Sequence, residues 1–158
     1  MARLLLVTFF LATSAAIVSA ECPGGYIQRE SGNCYRAWQE QKHSCYYARN
    51  RCEEEGGWLV TIRNYDDQVW VNNFYRQHKG GPCGDKYWIG ANDVSEEGHF
   101  RWQQDDSDVE FTRWTGGQPD NYYNEDCVVV NSNNMSWYDK WRKDVFFCFV
   151  CEMFPRSC

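Results

Sequence analysis

The sequence predicts an α+β domain in which two helices precede a strand-rich half. Up to about residue 80, apolar side chains recur at helical spacing; beyond it they form short aromatic or β-branched runs separated by turn residues. The nine cysteines favour a fold stabilised by disulfide bonds. Residues 21–158 suffice for one domain with a modest core, and no repeat or linker divides them.

Residues 1–20 have the pattern of a secretory signal peptide. Arg3 supplies the positive charge, Leu4 to Leu11 form the apolar run, and Val18-Ser19-Ala20 provides small residues for cleavage. No later segment approaches the apolar length of a membrane span. We therefore expect a secreted, extracellular product that does not insert into membranes.

Short local signals predict the N-terminal elements. Cys22 and Cys34 bracket a small extended hairpin that we expect their own disulfide to close. Ser44 can cap a first helix, which ends at Gly56-Gly57. One side of this helix should face the core, because three residues recur at i, i+3 and i+7: Cys45, Ala48 and Cys52.

A second helix opens at Asn64 or Asp66 and ends at Gly80-Gly81-Pro82. A short strand over residues 59–62 separates the two helices. Further strands are predicted over residues 87–90, 100–102, 127–130, 135–138 and 146–151. A long polar stretch lies between residues 100 and 127, and a long loop in a compact domain is usually functional.

Charge and composition exclude several function classes. The formal charge of −6, without a run of lysine or arginine, argues against nucleic acid and anionic membranes as partners. An enzyme is not expected, because His43, His78 and His99 stand in no recognisable nucleophile motif. The abundant tryptophan and tyrosine fit an aromatic core, and also a surface that stacks on sugar rings.

The cysteines predict disulfide bonds more than a metal site. Cys148 and Cys151 have the spacing of a redox or zinc half-site, but no second pair stands at a matching spacing. In an oxidising compartment, such residues form disulfides. Nine is an odd number, so at least one cysteine is free or bridges to another molecule, and the sequence does not fix the connectivity.

The most informative stretch is Gln118-Pro119-Asp120, followed by Glu125-Asp126-Cys127 and then Trp137-Tyr138-Asp139. Amide and carboxylate oxygens gather here around a proline, and calcium takes such oxygens as ligands. A cis bond before Pro119 would direct the side chains of Gln118 and Asp120 towards one point. The tripeptide taken alone is also compatible with an ordinary polar turn.

In this order, the motifs resemble a C-type lectin-like domain of the long form. The resemblance covers essentially all of residues 21–158 and includes Cys22 to Tyr35, the helix ending at Cys52, Trp88-Ile89-Gly90, the three segments above, and Val150-Cys151-Glu152. It implies one carbohydrate-recognition domain of two helices, short antiparallel strands and a long calcium-binding loop. It also implies the disulfides Cys22–Cys34 and Cys52–Cys151, with Cys127 held by a later cysteine, for which Cys148 is the candidate.

The resemblance further implies a sugar-binding calcium site formed by Gln118, Asp120, Glu125 and Asp139. In the family, two vicinal sugar hydroxyls coordinate the ion while hydrogen bonding to its ligands. The Gln-Pro-Asp order is associated with galactose-type sugars, and Glu-Pro-Asn with mannose-type sugars. A galactose-type glycan is therefore the expected ligand.

Three tyrosines bear on sugar contact. Tyr122 and Tyr123 follow in the same loop, where either could stack on a galactose ring or pack the loop. Tyr138 replaces the usual amide of a Trp-Asn-Asp motif, which would bind calcium and donate to a sugar hydroxyl. Such a hydrogen bond is worth roughly 1.5–3 kcal/mol. Its loss should weaken sugar binding about tenfold to a hundredfold.

A second calcium site is also implied, with oxygen donors that would order the long loop: Asp93, Glu97, Asn121, Glu125 and Asp126. An exposed acidic turn beside Gly98 is the alternative for Asp93 and Glu97.

Other features depart from the family pattern. Cys45, Cys83 and Cys158 are additional, and one bridge among them would leave one cysteine for a disulfide-linked homodimer. Such multivalence would suit a weak sugar site. Asn134 begins an N-glycosylation sequon, Asn134-Met135-Ser136.

We therefore expect a secreted calcium-dependent lectin for galactose or N-acetylgalactosamine glycans on microbial or other cell surfaces, as in innate immunity. The alternative is a non-lectin member of the same fold, either a protein-binding module or a mineral-matrix protein.

Overall fold

The computed structural model describes residues 20–30, 32–143 and 145–157, and the predicted signal peptide lies almost entirely outside them. Two helices form where the periodicity predicts them: α1 spans Cys45–Glu54 and α2 spans Tyr65–His78. The Ser44 hydroxyl caps α1 by accepting from the Tyr47 N–H at 3.3 Å. Asn64, rather than Asp66, caps α2. Neither helix is long and apolar enough to cross a membrane.

Ten strands accompany the helices in the described residues: β1 Ala20–Glu21, β2 Ile27–Gln28, β3 Cys34–His43, β4 Trp58–Leu59, β5 Lys86–Asn92, β6 Arg101–Trp102, β7 Cys127–Asn131, β8 Ser136–Lys140, β9 Phe147–Met153 and β10 Arg156–Ser157. The main sheet has the order β2-β3-β9-β5-β7-β8, with β4 on β9 and β6 on β5. The predicted antiparallel pairing holds except between β5 and β9, which run parallel. β1 and β10 pair separately.

The sequence did not predict most of β3. Its first half alternates buried Tyr35 and Ala37 with half-buried neighbours, but its second half, Gln39 to Lys42, is exposed and polar. Backbone pairing with β9 makes the first half a strand, because Cys34 to Trp38 lie opposite Met153 to Phe149; beyond a register shift, His43 lies opposite Phe147. A strand whose hydrogen bonds are supplied by a distant segment leaves little local signal in the sequence.

Aromatic residues fill the core, as expected. Trp88, Trp102, Trp137, Tyr75 and Tyr87 all have relative exposures below 2 %. The two faces of the sheet bury separate clusters. One contains Tyr87, Trp102 and Trp137, and the other contains Trp88 together with two disulfides. Burial of such large rings supplies much of the hydrophobic free energy of a domain this small.

The disulfides confirm two predictions and correct two others. Cys22–Cys34 and Cys52–Cys151 form as expected. Cys127 pairs with Cys45, however, and Cys148 pairs with Cys83, so both the Cys127–Cys148 bridge and a bridge within Cys45, Cys83 and Cys158 were wrong predictions.

Strand alternation explains the correction. Cys148 and Cys151 stand three residues apart on β9, so their side chains lie on opposite faces of the sheet. Cys148 lies in the cluster that holds Cys83, whereas Cys127 lies in the other, beside Cys45 of α1. Cys158, the ninth cysteine, lies outside the described residues, so the predicted homodimer stays a prediction.

Candidate functional site

The long loop between β6 and β7 lies against β8. Phe111 and Trp114 pack edge-on to the buried ring of Trp137, with centroids 6.0 and 5.8 Å away. The backbone fixes the same contact: the Trp137 N–H donates to the Arg113 carbonyl at 2.8 Å, and the Thr115 N–H donates to the Trp137 carbonyl at 3.1 Å. This docking brings the Gln118-Pro119-Asp120 turn next to Asp139, two residues beyond Trp137.

Three carboxylates meet at this place. Asp120, Glu125 and Asp139 each offer an oxygen within 4.8 Å of the others. Asp139 is fully buried, Glu125 is 7 % exposed and Asp120 is exposed, so the cluster opens to solvent on the Asp120 side. Oxygens at this spacing suit a hard divalent cation, because three negative charges this close repel one another unless a cation lies between them.

The loop backbone holds these side chains in position. The two oxygens of Asp139 accept from the N–H groups of Asp120 and Asn121 at 3.3 and 2.7 Å. Gln118 Oε1 accepts from the Asp139 N–H at 3.0 Å, which places the amide beside the cluster. The Gln118–Pro119 bond is cis, as the turn predicted. Asn121 Oδ1 accepts from the Glu125 N–H at 2.9 Å, which closes the turn between the two halves of the loop.

Lys140 is the neighbour that sequence reasoning missed. Its Nζ lies 2.9 and 3.1 Å from the two oxygens of Glu125. Burial raises the pKa of the Glu125 carboxyl above its ordinary value, and the Lys140 ammonium partly offsets that shift. No sequence motif marks Lys140; it lies near Glu125 because pairing of β8 with β7 sets it opposite Cys127, two residues from Glu125.

A second acidic group lies beside the first. Asp93 and Asp126 are 2 % and 4 % exposed, so the exposed-turn alternative is wrong for Asp93, whereas Glu97 is exposed. Asp93 Oδ2 accepts from the Gly98 N–H at 2.8 Å, but Asp93 Oδ1 is buried without a partner among the described residues. Asp126 Oδ2 also has no hydrogen-bond partner in the part of the chain that the structure describes, although Arg142 Nε lies 3.4 Å away.

The electrostatics of this group indicate a missing positive charge. Burial, together with the neighbouring Glu97 and Asp126 carboxylates, raises the pKa of Asp93 to about 6, although the hydrogen bond from the Gly98 N–H partly offsets the shift. Burial also raises the pKa of Asp126, which Arg142 partly offsets. Buried carboxylate oxygens without partners are costly. The donor set therefore fits a calcium ion, which would supply the charge that these oxygens lack.

The tyrosines occupy two different environments. Tyr122 and Tyr123 are 65 % and 75 % exposed, with ring centroids 4.3 Å apart, so they pack on each other and not on the core. Tyr138 is half-buried. Lys86 Nζ lies 4.4 Å from the centroid of its ring, and its hydroxyl lies 3.4 Å from the Ser136 hydroxyl. Among the described residues, no hydrogen bond joins Tyr138 to the three carboxylates.

Asn134 lies in the exposed turn between β7 and β8, near the end of β8 remote from Asp139. Its Oδ1 accepts from the Ser136 N–H and hydroxyl at 3.1 and 2.6 Å. This position is accessible to a glycosylating enzyme, and its occupancy stays a prediction.

Known proteins share this architecture. Residues 41–153 match the family described as Lectin C-type domain. A perlucin-like protein of Mytilus galloprovincialis is 35 % identical, over 72 % of this chain and 83 % of the relative. An α-N-acetylgalactosamine-specific lectin of Patiria pectinifera is 34 % identical, over 78 % of this chain and 75 % of the relative.

Solved structures agree with the sequence relatives. The C-type lectin CEL-I of Cucumaria echinata superposes with a TM-score of 0.73 at 28 % identity, covering 83 % of this chain and 96 % of that one. A calcium-independent type II antifreeze protein superposes with a TM-score of 0.72 over 87 % of this chain and 97 % of that one; its 17 % identity shows the fold alone. The chain belongs to the C-type lectin domain family, which is a family of binding domains and not of enzymes.

Proposed function

We propose that this chain is a secreted calcium-dependent lectin in which Gln118, Asp120, Glu125 and Asp139 hold calcium and sugar together. The observation that carries the proposal is the meeting of three carboxylates within 4.8 Å. Two of them come from one loop and the third from β8, so the fold, and not the local sequence, brings them together. A cluster assembled in this way supports binding of a divalent cation.

When bound, calcium supplies Lewis-acid coordination for two vicinal hydroxyls of a sugar. The side chains of this protein supply the rest of the recognition. Asp120 and Glu125 present oxygens that accept hydrogen bonds from the hydroxyls, and the Gln118 amide has N–H groups to donate. Gln118 Oε1 is already bonded to the Asp139 N–H, which fixes the orientation of the amide. Charge-assisted bonds of this kind are about twice as strong as neutral ones.

The favoured sugar is of the galactose type, including N-acetylgalactosamine. Support comes from the Gln118-Pro119-Asp120 order and from the relative whose name specifies α-N-acetylgalactosamine. Tyr122 and Tyr123 are exposed in the same loop, where an aromatic ring can stack on the apolar face of galactose. These glycans are proposed to be those of microbial or other cell surfaces.

A second calcium ion is proposed at Asp93, Glu97, Asn121, Glu125 and Asp126. Its support is a pair of buried carboxylate oxygens, one on Asp93 and one on Asp126, that find no hydrogen-bond partner within residues 20–30, 32–143 and 145–157. Because Glu125 and Asn121 belong to the same loop as the first site, this ion would stabilise the loop that presents the sugar site.

Affinity chromatography tests the proposal. The protein without residues 1–20 is applied to galactose, N-acetylgalactosamine and mannose resins in calcium, then eluted with EDTA. Retention on the first two resins and release by EDTA is the expected result. Retention on mannose alone would refute the galactose assignment but leave the lectin function supported. Failure to bind any resin or a multivalent glycan surface would refute the lectin function.

A non-lectin role in protein or mineral binding is the second candidate. Two observations favour it: Tyr138 stands where the family has an amide, and Lys140 is bonded to a carboxylate of the proposed calcium site. Both changes weaken a sugar site without altering the fold. In that case the protein would bind its partner equally in calcium and in EDTA.

A further inference from the structure

One cationic side chain is bonded to the three-carboxylate cluster. Lys140 Nζ lies 2.9 and 3.1 Å from the two oxygens of Glu125, a nearly symmetric contact. Asp120 and Asp139 form no ion pair with any described residue, so their negative charges are balanced only by backbone N–H groups and by this neighbouring ammonium. Lys140 therefore supplies part of the positive charge that a divalent cation would bring.

The ion pair is held by the fold. The Lys140 and Glu125 side chains are 24 % and 9 % exposed, so water screens them less than a surface pair. β8 pairs with β7 and sets Lys140 opposite Cys127, which a disulfide ties to α1. Both partners are thus anchored at the backbone near the same point, so forming the pair costs only the rotamer freedom of the two side chains.

We propose that Lys140 is a tethered cation that occupies Glu125 when the site holds no calcium, and that calcium must displace it to bind. This inference rests on the proposed function, because it takes Glu125 as a calcium ligand. An ammonium and a calcium ion cannot both contact the same two carboxylate oxygens at full strength, since like charges at that separation repel. Lys140 therefore lowers calcium affinity and at the same time stabilises the metal-free loop.

Calcium titration calorimetry of Lys140→Met tests this competition. Methionine retains much of the methylene chain and removes the charge. Lys143→Met is the matched control, because Lys143 is exposed in the following turn and carries the same charge. Loss of one charge-assisted bond predicts that Lys140→Met binds calcium about tenfold to a hundredfold more tightly than Lys143→Met. Lys140→Arg, which keeps a cation near Glu125, should bind as weakly as the unmodified protein.

A second readout does not depend on calcium binding. In EDTA, Lys140→Met should unfold at a lower temperature than Lys143→Met, because Glu125 is then buried without a cation. Lys140→Gln serves as the neutral variant if the methionine variant fails to fold. Equal calcium affinities for the Lys140 and Lys143 variants would overturn the inference and leave the proposed function standing. An absence of calcium binding by every variant would overturn both.

Discussion

At the scale of single residues, the carboxylates of the site differ in how far each can be replaced without disturbing the loop. Asp139 is fully buried and accepts hydrogen bonds from two backbone N–H groups, so its removal would disturb the loop as well as ligand binding. Asp120 is exposed, and the one hydrogen bond that its side chain accepts among the described residues comes from the Tyr122 N–H. Asp120 is therefore the position at which ligand binding and folding can be separated.

Replacing Asp120 with alanine should abolish calcium-dependent glycan binding. The free energy of unfolding in EDTA should change by no more than about 0.5 kcal/mol, as is usual for an exposed side chain. Asp66→Ala is the matched control, since Asp66 is an exposed carboxylate in the first turn of α2. Glycan binding and chemical denaturation are measured for both variants. Glycan binding that survives Asp120→Ala would place the ligand elsewhere.

The sequence was sufficient to predict the carboxylates but not the cation beside them. Gln118, Asp120, Glu125 and Asp139 are recognisable because they stand in ordered motifs. Lys140 belongs to no such motif, and its contact with Glu125 exists only because β8 pairs with β7 in one particular register. The buried state of Asp93 was missed for a similar reason, because solvent exposure in a loop depends on the elements that pack around it.

At the scale of elements, the Cys45–Cys127 disulfide links α1 to the start of β7, two residues after Glu125. It thereby fixes the C-terminal end of the long loop against the helix. Cys22–Cys34 instead closes the N-terminal hairpin, across a sequence separation of 12 against 82 for Cys45–Cys127. The two bridges therefore differ both in the length of chain that they constrain and in their distance along the chain from the site.

Serine at both Cys45 and Cys127 should destabilise the fold by about 2–5 kcal/mol and weaken calcium binding. The matched variant with serine at Cys22 and Cys34 should lose about 2 kcal/mol less free energy of unfolding, because a shorter loop loses less entropy on closure. Its calcium affinity should remain that of the unmodified protein. Urea denaturation and calcium titration provide the two readouts. Equal calcium affinities for both variants would show that Glu125 is positioned without the Cys45–Cys127 bridge.

Local signals predicted both helices, because capping residues and periodicity act within a few positions. The later strands were also predicted to within a few residues. The strand β3 and the pairing of Cys127 could not be predicted in the same way. Each depends on a partner far along the chain, β9 for the strand and α1 for the cysteine. Alternation along β9 was the available clue, since it separates Cys148 from Cys151.

At the scale of the whole molecule, the number of binding sites matters as much as the affinity of each. The proposed sugar site, which we expect Tyr138 to weaken, would gain from presentation in more than one copy, because linked sites bind a multivalent glycan surface far more tightly than a single site does. The four disulfides use eight of the nine cysteines, and Cys158 is the ninth.

We expect a disulfide-linked homodimer through Cys158. Electrophoresis without reducing agent should show twice the apparent mass seen after reduction, and Cys158→Ser should abolish the larger species. Binding to a multivalent galactose surface should weaken in that variant, while its affinity for the free sugar stays the same. A single mass under both conditions would rule out the covalent dimer.

We claim that calcium and sugar bind at one site, so their binding affinities should be thermodynamically coupled. If calcium bridges the sugar to Gln118, Asp120, Glu125 and Asp139, then sugar must tighten calcium binding by the same factor by which calcium tightens sugar binding. The measurement is a calcium titration with and without a saturating galactose-type sugar. We predict a lower calcium Kd in the presence of the sugar, and identical titrations under both conditions would contradict the claim.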